Sequence, residues 1–195
     1  MDPMPASPSS AVVQPGLPEG GLLHLEGALN SAEARRLEEA SAEAEEVKRP
    51  ACFLDTNVLV YAASLRAPHH QRAVEELRRR YESKQDLWIS RQVLREYLAT
   101  LSRAQTYSNP KPLRELVEDV RYFQNRFVVA NEGPAVTEKL LELIEQTGTG
   151  GKQIHDANIV ATMLVHGVSE LLTNNPGDFA RYSSVIRIIP LEALG

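Results

Sequence analysis

Sulfhydryl chemistry is nearly missing from this chain. Cys52 is the only cysteine, so no internal disulfide can form, which fits a reducing compartment. One cysteine and five scattered histidines do not supply the ligand set of a structural zinc site. No run of about eighteen apolar residues occurs, so no transmembrane helix and no membrane partner are expected. The N-terminus lacks a basic stretch followed by an apolar core, unlike a secretion signal, and a cytoplasmic location is the expectation. The run Gly148-Thr149-Gly150-Gly151-Lys152 lacks the spacing of a Walker phosphate loop.

What charge is present is unevenly placed. The net charge is −5, and residues 1–50 alone hold nine acidic residues against Arg35, Arg36, Lys48 and Arg49. The remaining residues therefore balance. A neutral domain that gathers several carboxylates must place basic charge elsewhere. Arg72, Arg78, Arg79, Arg80, Arg91, Arg95 and Arg103 lie close in sequence and form a candidate phosphate-binding surface. The interspersed Glu75, Glu76 and Glu82 fit solvated helix faces equally well.

Two regions of different character follow one another. Residues 1–49 are expected to be a disordered and then acidic helical extension. Pro3, Pro5, Pro8, Pro15 and Pro18 punctuate its first part, and residues 31–48 are rich in Ala and Glu with few large apolar side chains. An acidic segment tethered in this way could cover a basic groove and imitate the polyanion that the groove would bind. Residues 50–195 form the second unit. Apolar runs at 51–55, 87–90, 127–130, 169–174 and 186–189 read as strands. Helical segments are expected at 56–64, 69–81, 91–103, 113–125, 134–146 and 154–166, with a loop at 108–112. Short strands apolar on both faces and alternating with helices specify an α/β domain of three layers, a short parallel sheet between helices. Ligands in such sheets bind at the carboxyl ends of the strands.

Carboxylates occupy those ends. Asp55 closes the first strand in FLDTNVLVYA, and Glu96 lies in ISRQVLREYL after the second. Asp156 sits near a helix start in QIHDANIVATM, and Asp178 follows the fourth strand in NNPGDF. Each also has a bland explanation. Asp55 suits a helix N-cap, Asp156 suits a helix dipole, Asp178 suits a turn, and Glu96 suits a helix surface. Together, from four segments, they suggest a shared cation that relieves the cost of burying carboxylates. An all-oxygen set without His or Cys favours Mg2+, with Mn2+ able to substitute. Such an ion can activate water for in-line phosphodiester hydrolysis, with no Ser, Cys or Lys nucleophile. His155 beside Asp156 could orient it or serve the helix start. Tyr61, Trp88 and Tyr97 could stack on bases or pack the core.

These motifs, in this order, resemble the PIN-domain family, and FLDTNVLVYA is similar to its opening strand. ISRQVLREYLATLSR resembles the second motif, and IHDANIVATMLVHGVSELLTNNPGDF the closing block of VapC-type toxins. The resemblance spans about residues 51–192. It implies Asp55, Glu96, Asp156 and Asp178 as metal-binding catalytic positions, with Thr56, Asn57, Thr173 and Asn175 organising the site. Some relatives carry Asp where this chain has Asn175, so either Asn175 or Asp178 is the residue that faces the metal. Arg91, Arg95 and Arg103 are candidates for contact with RNA. The family implies a magnesium- or manganese-dependent endoribonuclease, neutralised by a small antitoxin and usually dimeric. The alternatives are a nuclease of RNA maturation and a catalytically silent RNA-binding or assembly module. A haloacid-dehalogenase-like phosphatase would need an Asp at position 57, where this chain has Asn57.

Overall fold

Cys52, Phe53 and Leu54 are completely buried in strand β1, Ala51–Leu54. A short strand apolar on both faces is what the middle of a parallel sheet requires. The computed structural model describes residues 49–103 and 111–193. The expected extension over residues 1–48 and most of the expected loop at 108–112 lie outside these described residues.

Strand β2 is Asp86–Ser90, β3 is Val128–Ala130, β4 is Glu170–Thr173 and β5 is Arg187–Pro190. Their order across the sheet is β3-β2-β1-β4-β5, and every neighbouring pair is parallel. The chain thus builds outward from β1 on one side and then crosses to the other. The expected α/β architecture, a short parallel sheet with helices, is the one found. The switch in direction falls between β1 and β4, where an open parallel sheet forms its crevice.

The helices are α1 (Thr56–Ala63), α2 (His70–Glu82), α3 (Arg91–Leu101), α4 (Leu113–Arg126), α5 (Pro134–Thr147), α6 (Gln153–Val165) and α7 (Pro176–Phe179). Their ends follow local chemistry. The Val93 amide donates to Ser90 Oγ at 3.3 Å, so Ser90 caps α3, and the Gln92 amide donates to Glu132 Oε1 at 2.5 Å. Pro134 opens α5, and Gly148 ends it in the left-handed region at φ +64°. Phe127 differs from expectation: it closes α4 instead of opening β3, and its ring stacks on Phe123 at 5.6 Å. Helix α7 and the 3-10 turns at Ala180–Tyr182 and Leu191–Ala193 were not expected. Four residues give no readable period, although Pro176 at the first helical position is preset for one.

The amino ends of the strands carry an ionic cluster that corrects one expectation. Arg80 is buried, not displayed for phosphate. It donates to Glu76 Oε1 at 2.5 Å and Gln85 Oε1 at 2.8 Å, and stands 3.5 Å from Glu170. Arg79 grips Glu76 with two bonds of 2.8 and 2.6 Å, and Arg187 reaches Glu170 at 2.9 Å. Arg72 donates to the Glu192 carbonyl at 2.5 Å. Cys52 is inert for a related reason, since burial pushes its thiol up to about 12. Among the described residues no helix is long and apolar enough to cross a membrane.

Removing Glu76 leaves the buried Arg80 guanidinium with the neutral Gln85 amide and the more distant Glu170 carboxylate. Glu76→Ala should lower unfolding free energy by about 3 kcal/mol in a urea titration, the low end for a broken buried pair. Arg78→Ala, on the exposed face of the same helix, should change it by less than about 0.5 kcal/mol.

Candidate active site

The site begins where the β1 ladder runs one residue past the strand. The Asp55 amide donates to the Leu172 carbonyl at 3.0 Å, which sets Asp55 beside Thr173 at the end of β4. Asp55 has the extended backbone of a helix N-cap, yet its side chain makes no capping bond to α1. The carboxylate is used otherwise. Thr173 Oγ1 donates to its Oδ2 at 2.7 Å, and Asn57 Nδ2 donates to the same oxygen at 2.5 Å. Both bonds use Oδ2 and leave Oδ1 to other partners.

Asn57 and Thr173 bind the two segments into one unit. Asn57 Oδ1 accepts from the Asn174 amide at 3.0 Å. Thr173 Oγ1 accepts from the Asn175 amide at 2.9 Å and from Asn57 Nδ2 at 3.3 Å. One hydroxyl donor and two lone pairs are then fully engaged. The expected organising residues Asn57 and Thr173 are therefore in contact with Asp55.

Glu96 enters from α3. Its Oε2 accepts from Thr56 Oγ1 at 2.7 Å, and its Oε1 accepts from Gln92 Nε2 at 2.7 Å. Thr56, the first residue of α1, thus links Asp55 to the neighbouring helix. Asp156 lies in the first turn of α6, and Asp178 in the first turn of α7. Ala157, Ile159, Val160 and Ala161 are buried, so α6 is the core-packed helix its sequence suggested.

The charges of these carboxylates act on one another. Burial pushes Asp55 up to about 6, Thr173 and the Thr56 amide oppose the rise, and the charges of Glu96 and Asp156 add to it. Burial also pushes Asp156 up to about 6, reinforced by Asp178 and Glu96 and opposed by His155 and Arg181. Of the two alternatives at the last motif, Asp178 is the one whose charge reaches Asp156. Asn175 is exposed and engages Thr173 through its backbone.

Among the described residues, no three His, Cys, Asp or Glu side chains already close around a common point. That does not conflict with a hard cation. Magnesium takes one or two carboxylates and fills its shell with water and phosphate oxygens instead of demanding a protein cage. An all-carboxylate donor set, with two acids pushed upward by burial and further by their neighbours' charge, fits such an ion.

The remaining expected residues are more peripheral. Arg91 donates to Asn131 Oδ1 at 3.2 Å and Arg95 to Glu132 Oε2 at 3.0 Å, so both clasp the loop after β3 while staying exposed. Arg103 is exposed beyond the end of α3. His155 is 70% exposed, with Nδ1 3.8 Å from Glu96 Oε1. Tyr97 is fully buried and donates to Asp119 Oδ2 at 2.6 Å, which removes it as a base-stacking residue. Trp88 packs on His166 at 5.6 Å, and Tyr61 on His69 at 5.2 Å. Two residues of the site had gone unnoticed. Gln92 stands one helical turn before Glu96, a spacing that could have revealed it. Arg181, three residues after Asp178, is the arginine whose charge acts on Asp156.

A PIN domain family model matches residues 52–185. No curated protein matches the chain. Several solved structures share the fold. VapBC2 from Rickettsia felis, bound to a DNA fragment from its promoter, is 22% identical over 72% of this chain and 98% of its own, with a TM-score of 0.54. FitAcB from Neisseria gonorrhoeae is 19% identical over 73% and 99%, with a TM-score of 0.54. A toxin-antitoxin complex from Klebsiella pneumoniae is 20% identical over 72% and 97%, with a TM-score of 0.50.

Raised acids carry a stability signature. The native state keeps protons on Asp55 and Asp156 that the unfolded chain releases between 3.8 and about 6. Without metal, their contribution therefore falls as pH rises through that window. Asp55→Asn should gain stability relative to the parent protein as pH rises from about 4 to about 6. Melting curves across that range check this, and a constant difference would remove the claim that Asp55 ionises at a cost.

Proposed function

Because the chain belongs to the PIN domain family, we propose that it is a metal-dependent endoribonuclease, the toxin of a toxin-antitoxin pair. The observation that supports this reading is that, near the switch point of a parallel sheet, the charges of Glu96 and Asp156 act on Asp55 and those of Glu96 and Asp178 act on Asp156. That donor set suits Mg2+, and Mn2+ would substitute. The site offers no thiol, and the reading calls on no protein nucleophile.

A bound cation would supply an activated water and neutralise charge developing on the phosphodiester. The protein's own groups do the rest. Asp55, Glu96, Asp156 and Asp178 are the residues that would hold the ion. Thr173 and Asn57 fix Asp55 through one oxygen, and Thr56 fixes Glu96 through another. The exposed Arg91, Arg95 and Arg103 give cationic surface to an RNA backbone, with Arg181 at the rim of the acidic cluster. A small antitoxin partner belongs to the same reading, supported by the toxin-antitoxin complex among the structures that share the fold. Exposed Leu113 and Val117 on α4 offer apolar surface for self-association as a homodimer. A cytoplasmic setting goes with an RNA substrate.

The test is to incubate purified protein with total RNA in Mg2+, in Mn2+ and in EDTA. Discrete cleavage is expected in either metal and none in EDTA. Asp55→Asn should reduce the rate by more than about 100-fold, and Thr173→Val or Thr56→Val by about 10- to 100-fold. Metal-independent cleavage, or cleavage unchanged in Asp55→Asn, would place the chemistry elsewhere. Retained RNA binding without cleavage in any metal would favour a silent binding module.

A further inference from the structure

Gln92 lies in the first turn of α3 and is only 5% exposed. A buried glutamine must place two amide donors and one acceptor. Its Nε2 donates to Glu96 Oε1 at 2.7 Å and to the His155 carbonyl at 3.0 Å. Its Oε1 accepts from Asn158 Nδ2 at 2.7 Å. The polarity follows from the partners, since a carboxylate and a carbonyl can only accept. Its own backbone amide is taken by Glu132.

Two of these three side-chain bonds cross to α6, on residues that bracket Asp156. The third holds Glu96. One amide group thus spans the gap between the elements that carry two of the site's carboxylates. The Glu96 side chain has three rotatable bonds and stands among like charges that would turn it outward. Thr56 restrains one of its oxygens and Gln92 the other.

We propose that Gln92 is a positioning residue, a strut that holds the Glu96 carboxylate at a fixed separation from Asp156 so that both can serve one divalent cation. The proposal rests on the metal-dependent nuclease reading above. Gln92 touches neither metal nor RNA and acts through Glu96. Outer partners of metal ligands typically set affinity by about 10- to 100-fold.

The test measures Mn2+ dissociation constants by electron paramagnetic resonance on the full chain, alongside RNA cleavage. Gln92→Leu, close in volume and without polar atoms, should weaken Mn2+ binding by about 10-fold or more. Asn158→Ala removes one of the two bonds to α6, leaving that to the His155 carbonyl, and should weaken Mn2+ binding in the same direction, which keeps the proposal testable if Gln92→Leu does not fold. In a Glu96→Gln background, Gln92→Leu should add less than about a twofold further loss, because the residue through which it acts is already neutral. Unchanged Mn2+ affinity in the folded single variants overturns the proposal. So does an undiminished loss in the Glu96→Gln background, which would mark a general packing defect. Parent protein that binds no Mn2+ overturns both this role and the metal-dependent reading. Parent protein that binds Mn2+ but cleaves no RNA removes the nuclease reading alone, and the affinities still decide the role of Gln92.

Discussion

Keeping one carboxylate almost out of water at the end of the central strand is the demand around which this molecule is arranged. Asp55 is 8% exposed, and a buried carboxylate without partners costs several kcal/mol. Its partners come from both sides of the sheet's switch point. Thr173 is available only because β4 pairs with β1 in the register that matches Leu54 with Leu172. Asn57 is available because α1 begins directly at Thr56, without a connecting loop. A slip of one residue in β4 would turn Thr173 to the opposite face, and one in α1 would swing Asn57 by about 100°.

The two ends of the sheet treat charge in opposite ways. At the amino ends, Arg79, Arg80 and Arg187 answer Glu76 and Glu170, and the buried charges are matched within the chain. At the carboxyl ends, hydroxyls and amides support Asp55 and Glu96, and their charges and those of Asp156 and Asp178 act on one another. The first arrangement is complete in itself. The second leaves negative charge that an external cation can answer; burial pushes Asp55 and Asp156 upward there, and the neighbouring carboxylates add to the rise.

Much of this was legible in the sequence. Short apolar runs alternating with helical periods pointed to the parallel sheet, and the position of Asp55, Glu96, Asp156 and Asp178 relative to the strands marked them as candidates for one site. What escaped has physical causes. Arg80 and Arg78 look alike in a charged helix, because the residues alone do not reveal which flank the sheet will cover. Phe127 is apolar and precedes two valines, so nothing local separates a strand start from a helix end. Gln92 was unremarked because its role lies in bonds to His155 and Asn158, more than sixty residues away along the chain. Tyr97 had the chemistry of a stacking residue, and only burial against Phe123 and Asp119 decided its role.

Glu96 and Tyr97 are adjacent in sequence and serve opposite tasks. One faces Thr56 in the site, while the other is sealed in the core against Asp119, itself joined to Lys111. Successive residues on a helix diverge by about 100°. Helix α3 is therefore keyed on two sides, with Ser90 and Glu132 fixing its start. A single inserted or deleted residue between Ser90 and Glu96 would unseat both at once. A change of length that spares both tasks must therefore fall outside the stretch from Ser90 to Tyr97.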